Sequence, residues 1–211
     1  RTFTTTFFQA PGRMNVFDEH PFRVILDYAH NADGVRYMAE LASKLDVNGK
    51  RITILAGPGD RRDEDLVNIA KAAANHFDIY ICKADDNRRG REFDEVPNIL
   101  REALIAEGIK ADNIFVIPDE VEAIEKGLQL AGHDDLLMVF GDAITRCWKQ
   151  IISFNGMQES GTKDIEQKPV QTVVSMLDTS EPDTFVLESG MKIVKDDRGV
   201  RVVSEHDEES D

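Results

Sequence analysis

Five short runs of apolar residues recur between positions 22 and 140 of the chain. The runs are nearly unbroken by polar residues, which is typical of strands buried on both faces of a sheet. We predict one strand over each run: Phe22 to Tyr28, Arg51 to Ala56, Asp78 to Cys82, Asn113 to Ile117 and Asp135 to Phe140.

The stretches between these runs have the period of a helix. Val35, Met38, Leu41 and Leu45 recur at a spacing of three or four, and similar sets follow each later run, up to a closing helix around Trp148. Strict alternation of strand and helix indicates an α/β fold with right-handed crossovers. We therefore predict a doubly wound, mainly parallel, Rossmann-like sheet with helices on both faces.

The two ends of the chain differ from this central part. Residues 1–21 predict a linker with an edge strand around Met14 to Phe17 that leans on the first strand, and residues 22–154 form the α/β domain. Residues 155–211 predict an acidic extension with a β-hairpin, a possible third strand and a disordered final segment, EHDEESD. The strands expected there are Thr184 to Leu187, Met191 to Val194 and Gly199 to Val203.

Charge and composition narrow the class of partner. The net charge of -15 repels phosphates and anionic membrane surfaces, so it argues against nucleic acid or membrane as a partner. We find no apolar run approaching the roughly 20 residues that span a bilayer. Cys82 and Cys147 form no CxxC pair and fit small buried thiols in a reducing, cytoplasmic compartment.

In such a sheet, ligands bind beyond the carboxyl ends of the strands. After the first strand, Asp27, His30 and Asn31 precede a helix, an arrangement suited to ribose hydroxyls or phosphate. The alternative is structural: Asn31 or Asp33 caps the helix and His30 lies on the surface.

Two further loops carry arginines. GPGDRR, at residues 57–62, lacks the GK[ST] of a Walker loop and the third glycine of a dinucleotide fingerprint, which disfavours a nicotinamide enzyme. Residues 83–92 mix carboxylates, an amide and three arginines, and such a loop can grip both ends of a zwitterionic amino acid. A solvated run of charges is the alternative.

Taken together, these motifs resemble the C-terminal domain of the Mur ligase family. Pro11-Gly12-Arg13, DYAHN at 27–31, GDR at 59–61 and DNRR at 86–89 occur in the order found there, over roughly residues 10–154. The resemblance implies an enzyme that activates a carboxylate with ATP as an acyl phosphate, which an amine attacks to form an amide.

The resemblance also implies roles for individual residues. The nucleotide would be contacted by Arg13, Asp27, His30 and Asn31. The incoming amino acid would be bound by Asp60, Arg61, Asp86, Asn87, Arg89 and Glu92. No metal ligand is expected in this chain, because the phosphate loop, the carbamylated lysine and most of the magnesium coordination belong to a central domain. This chain alone is expected to be inactive.

Two further sequence motifs indicate which amino acid the resemblance implies as the substrate. PGRMN and FGDAITRCWKQI are most similar to the branch that adds arginine to the side-chain carboxylates of an aspartate polymer, so Asp85, Asp86 or Glu92 would receive a guanidinium. Arg88 replaces the proline of the DNPR pattern, and GDAIT stands where the peptidoglycan ligases have GKGHE. These departures disfavour diaminopimelate or lysine.

The expected partners are the N-terminal and central ligase domains of the same polypeptide, in a homo-oligomer, with a hinge at Pro11-Gly12. Two alternatives remain at this point. One is the folate-polyglutamating branch, whose motif usually reads DGAHN, so that Tyr28 counts against it. The other is a non-catalytic scaffolding or oligomerisation module of the same fold.

Overall fold

The computed structural model describes residue 7, residues 9–154 and three later strands at residues 184–187, 191–196 and 199–204. Clustering of contacts divides the chain into two compact units, residues 1–163 and 164–211. The predicted domain boundary at residue 154 adjoins a segment outside the described residues. The predicted disordered end, residues 205–211, lies outside them. Both stay predictions.

A six-stranded sheet forms the centre of the first unit. The edge strand β1 pairs antiparallel with β2, and the other neighbours are all parallel. In spatial order the strands are β1 (Asn15–Phe17), β2 (Arg23–Asp27), β6 (Leu136–Phe140), β3 (Arg51–Leu55), β4 (Ile79–Cys82) and β5 (Ile114–Val116). The five predicted strands and the edge strand are confirmed.

Helices cover both faces of this sheet, as predicted. One hydrophobic core lies under α1, α2 and α3, and the other lies under α4 and α5. The helices are α1 (Ala32–Lys44), α2 (Asp63–Ala73), α3 (Glu95–Ala106), α4 (Glu120–Leu130) and α5 (Ile144–Ser153), with a 3-10 turn at Ala111–Asn113 before β5.

The middle strand β6 shows why the apolar runs are continuous. Leu136, Met138 and Phe140 point into the first core, whereas Leu137 and Val139 point into the second, and all five are buried. A strand with two buried faces has no position for a solvated side chain.

The order of the strands creates the place where a ligand can bind. β6 is the last strand of this sheet in sequence but lies between β2 and β3. The helices before β5 cover one face of the sheet, and α4, which precedes β6, covers the other. Asp27 at the end of β2 is opposite Phe140, and Leu55 at the end of β3 is opposite Cys82. The loops after β2, β3, β4 and β6 therefore meet at one edge, a topological switch point.

The second unit contains an antiparallel sheet of three strands. They are β7 (Thr184–Leu187), β8 (Met191–Asp196) and β9 (Gly199–Ser204), paired in that order. The predicted hairpin and third strand are confirmed. Within the part of the chain that the structure describes, no helix is long and apolar enough to cross a bilayer.

Candidate functional site

A cleft of about 160 Å³ opens where the loops after β2, β3, β4 and β6 meet. Binding sites for whole small molecules usually enclose about 300–1,000 Å³, so this cleft by itself is smaller than such a site. Its charged and polar lining comprises Tyr28, His30, Asp60, Arg61, Asp85, Asn87, Arg89 and Asp142.

Asp27 fixes the N-terminal linker to the domain. One carboxylate oxygen accepts a hydrogen bond from the Met14 amide at 2.8 Å, and the other accepts one from the Ala29 amide at 2.8 Å. The Tyr28 amide donates to the Gly12 carbonyl at 2.8 Å, while Gly12 takes a φ of 69° that favours glycine. Only 8% of Asp27 is exposed. Its contact with ribose stays a prediction, and sequence reasoning missed this anchoring role.

The other predicted nucleotide residues surround the start of α1. The Asn31 side chain accepts a hydrogen bond from the Gly34 amide at 2.9 Å, so the structural reading of Asn31 as a helix cap is confirmed. The rings of Tyr28 and His30 lie 5.2 Å apart, and both line the cleft. Arg13 is exposed in the linker turn.

The loops after β3 and β4 are joined into one unit by arginines. Arg89 pairs with Asp60 at 2.6 Å. Arg91 donates to the carbonyls of Gly59 at 2.9 Å and Arg61 at 2.6 Å. Gly59 packs so closely on the backbone of the β4 loop that a Cβ atom there would clash with it. This rigid pairing fixes the wall of the cleft that contains Arg61.

The structure brings four of the six predicted amino-acid residues together. Asp60, Arg61, Asn87 and Arg89 line the cleft, but Asp86 and Glu92 do not. The side chains of these two residues are exposed outside it, and Asp86 is held by a two-pronged pair with Arg146, with both N–O distances at 2.8 Å.

Glu120, the first residue of α4, is the centre of a buried polar network. Its carboxylate accepts hydrogen bonds from the Lys83 ammonium at 2.9 Å, the Asp142 amide at 2.7 Å and the Ala143 amide at 3.2 Å. A fourth bond comes from the Arg146 guanidinium at 2.5 Å. The side chains of both Glu120 and Lys83 are fully buried. Glu120 therefore connects the loops that follow β4 and β6.

Sequence reasoning missed the Glu120 network. One signal was present: Lys83 directly follows a buried apolar strand, where a charged side chain requires a partner. The partner lies far along the chain and could not be identified from spacing.

The charges of this network persist at neutral pH. Burial alone would raise the pKa of Glu120, but the nearby Lys83 charge and the hydrogen bonds from Asp142, Lys83 and Arg146 outweigh it and lower the pKa to about 2. Burial would lower the pKa of Lys83, but the charges of Glu120 and Asp85 raise it above its ordinary value. Both partners are therefore ionised, and each compensates the other.

Comparison with known proteins identifies the family. Residues 12–143 match the family model described as the Mur ligase, glutamate ligase domain. The chain belongs to the Mur ligase family. This Mur ligase domain is 39% identical over 146 residues to cyanophycin synthetase of Crocosphaera subtropica, covering 69% of this chain and 16% of the relative. It is 40% identical over 145 residues to that of Geminocystis herdmanii, again covering 69% and 16%.

Two further comparisons give lower sequence identities. A UDP-N-acetylmuramoyl-L-alanyl-D-glutamate--2,6-diaminopimelate ligase of Aquifex aeolicus is 31% identical over 131 residues, which cover 62% of this chain and 26% of the relative. The fold resembles that of E. coli FolC solved in complex with ADP, with a TM-score of 0.53 and 22% identity over 67% of this chain and 31% of that one. The domain spans about a sixth of the length of the cyanophycin synthetases it matches.

The site residues can be compared with the groups that such ligases use. The cleft is open on one side, and the Tyr28 and His30 rings lie at its lining. Among the described residues, no group of three or more His, Cys, Asp or Glu side chains is arranged to hold a metal ion.

The Glu120 network yields a prediction for stability. Replacing Glu120 by Gln leaves the buried Lys83 charge without its main partner, so the free energy of unfolding should fall by about 3–5 kcal/mol. Glu122→Gln, in the same first turn but exposed, should change it by less than about 0.5 kcal/mol. Urea unfolding of this chain measures both values. Equal stability of the two variants would contradict the central role of Glu120.

The same carboxylate predicts an acid-dependent loss of stability. Because the folded state holds the pKa of Glu120 at about 2, below its ordinary value of 4.5, the unfolded chain binds protons more readily in that interval. The contribution of Glu120 is present above pH 4.5 and is lost as the pH falls towards 2. Asp85, whose pKa is raised by burial, acts in the opposite direction.

Unfolding measured from pH 7 to pH 2.5 tests this effect. The difference in the free energy of unfolding between wild type and Glu120→Gln should shrink as the pH falls. Protonation of Glu120 removes its negative charge in the wild type, and the substitution has already removed that charge in the variant. A difference that stays constant over this range would show that Glu120 does not titrate as described.

Proposed function

We propose that this chain is the C-terminal domain of an ATP-dependent, cyanophycin synthetase-like ligase that adds arginine to the aspartate side chains of a poly-aspartate backbone. The main support is the identity of 39–40% to cyanophycin synthetases, against 31% to the diaminopimelate ligase. The cleft, which presents carboxylates and guanidiniums together, fits a substrate that carries both charges.

The reaction joins a carboxylate to an amine in two steps. The side-chain carboxylate of the polymer attacks the terminal phosphorus of ATP, which gives an acyl phosphate and releases ADP. The α-amine of arginine then attacks the carbonyl carbon, phosphate leaves, and the amine loses a proton as the amide forms. In this proposal, the central domain supplies the phosphate loop, the carbamylated lysine and the magnesium site.

This domain contributes the wall that closes over the nucleotide and selects the amino acid. Asp27 holds the linker turn that contains Arg13, and His30 and Asn31 follow Asp27 along the chain; in this proposal these four residues contact the adenosine. Arg61 and Arg89 face the cleft, and since Arg89 is already paired with Asp60, Arg61 is the better group for the α-carboxylate of the amino acid. A bidentate bond between guanidinium and carboxylate fixes both position and orientation.

Closure over the substrate would exclude water from the acyl phosphate. The linker turn is fastened to β2 through Asp27, so residues from Gly12 onwards move with this domain. The rotation would then occur before this turn, which moves the predicted hinge towards the start of the chain.

The proposal is tested by ADP release from the longer polypeptide that carries this domain, supplied with ATP, an aspartate polymer and arginine. Arg61→Ala should raise the KM for arginine about 10- to 100-fold, since a hydrogen bond to a charged group contributes about 1.5–3 kcal/mol. Arg101→Ala, which removes a guanidinium on α3 outside the cleft, should leave the KM unchanged.

Absence of arginine-dependent ADP release in the wild type would contradict the proposed substrate. If ADP release instead depends on glutamate and a folate, the folate-polyglutamating branch is correct. If polymer synthesis is unaffected by both Asp27→Ala and Arg61→Ala, the domain is a scaffold.

A further inference from the structure

Two carboxylates line the cleft together with Arg61 and Arg89. Asp85 follows β4 and Asp142 follows β6, and both line the cleft. The Asp85 side chain is mostly enclosed, with 17% of its surface exposed. The cleft thus has an acidic side in addition to the guanidinium of Arg61.

The buried network holds both carboxylates in place. The Lys83 ammonium, anchored on Glu120, lies 3.6 Å from Asp85. The backbone amide of Asp142 donates to Glu120 at 2.7 Å, and one oxygen of its side chain accepts a hydrogen bond from the Asp86 amide at 3.0 Å. Asp85 and Asp142 are thus held by these contacts while both residues line the cleft.

The other acidic residues of these loops are paired with arginines or lie outside the cleft. Asp86 is bound on both oxygens by Arg146, and Asp60 is paired with Arg89. Glu92 is exposed outside the cleft. Of the three residues that the sequence offered for a guanidinium, Asp85 alone faces the cleft.

We infer that Asp85, assisted by Asp142, recognises the cationic side chain of the incoming amino acid and so determines the specificity of the ligase. This inference rests on the proposed function. It assigns the α-carboxylate to Arg61 and the guanidinium to Asp85, both of which line the cleft. A rigid pair of carboxylates suits the planar, two-pronged donor of arginine better than a single ammonium.

The electrostatics of the cleft agree with this assignment. Burial raises the pKa of Asp85, the Lys83 charge opposes that effect, and the charges of Asp142 and Glu120 add to it. The carboxylates of Asp142 and Glu120 therefore repel that of Asp85, and Lys83 attracts it. A guanidinium between Asp85 and Asp142 would offset the remaining repulsion.

The test compares arginine with citrulline, which has nearly the same shape but a neutral end group, in the ADP-release assay with the longer polypeptide. Asp85→Asn should raise the KM for arginine at least tenfold with little change in kcat, and should reduce the preference for arginine over citrulline by at least tenfold. Asp142→Asn should act in the same direction while keeping an oxygen that accepts the Asp86 amide.

Two controls separate specificity from folding. Asp112→Asn, in the exposed turn before β5, should keep the wild-type preference. Asp85→Asn should unfold near the wild-type temperature, because Lys83 keeps its ion pair with Glu120.

The outcomes distinguish the inference from the function on which it rests. If Asp85→Asn and Asp142→Asn both retain the wild-type preference while Arg61→Ala weakens arginine use, the inference is overturned and the ligase function stands. If the wild type shows no amino-acid-dependent ADP release, the proposed function itself fails.

Discussion

The hydrogen bonds and ion pairs of the Glu120 carboxylate hold together the edge of the sheet where the cleft opens. A buried charge is tolerated only when partners replace the water it has lost, and Glu120 has four donors, two from side chains and two from the backbone. Lys83 follows β4, Asp142 and Ala143 follow β6, and Arg146 lies in the first turn of α5. The same bonds that compensate the buried charge therefore fix the loops that line the cleft.

The sheet topology explains why one residue can have this effect. β6 lies in the sheet between β2 and β3, so the loop that contains Asp142 lies beside the loops after β2 and β3, which are distant from it in sequence. α4 begins at the same edge, which brings Glu120 against Lys83 at the end of β4. The α/β framework supplies the positions, and the polar network keeps the side chains there. The result is a wall of the cleft whose loops are held by buried hydrogen bonds.

The sequence predicted the fold well because strands buried on both faces leave continuous apolar runs. It also predicted that Asp60, Arg61, Asn87 and Arg89 converge, since each follows a strand end. The sequence could not show that the Asp86 side chain pairs with Arg146 of α5 outside the cleft, because side-chain direction in a loop depends on its partner. The Glu120 pairing was missed because nothing in local spacing connects it to residues so distant in sequence. The order of the strands in the sheet brings these residues together, and the pattern of apolar residues does not predict that order.

A crystal structure of the longer polypeptide with a non-hydrolysable ATP analogue and arginine is the most direct test of this account. We predict that the guanidinium lies about 3 Å from the carboxylate of Asp85, with the α-carboxylate at Arg61 and the Glu120–Lys83 pair intact. Arginine bound with its guanidinium away from Asp85, or loops after β4 and β6 that separate from Glu120 when the ligand binds, would contradict it.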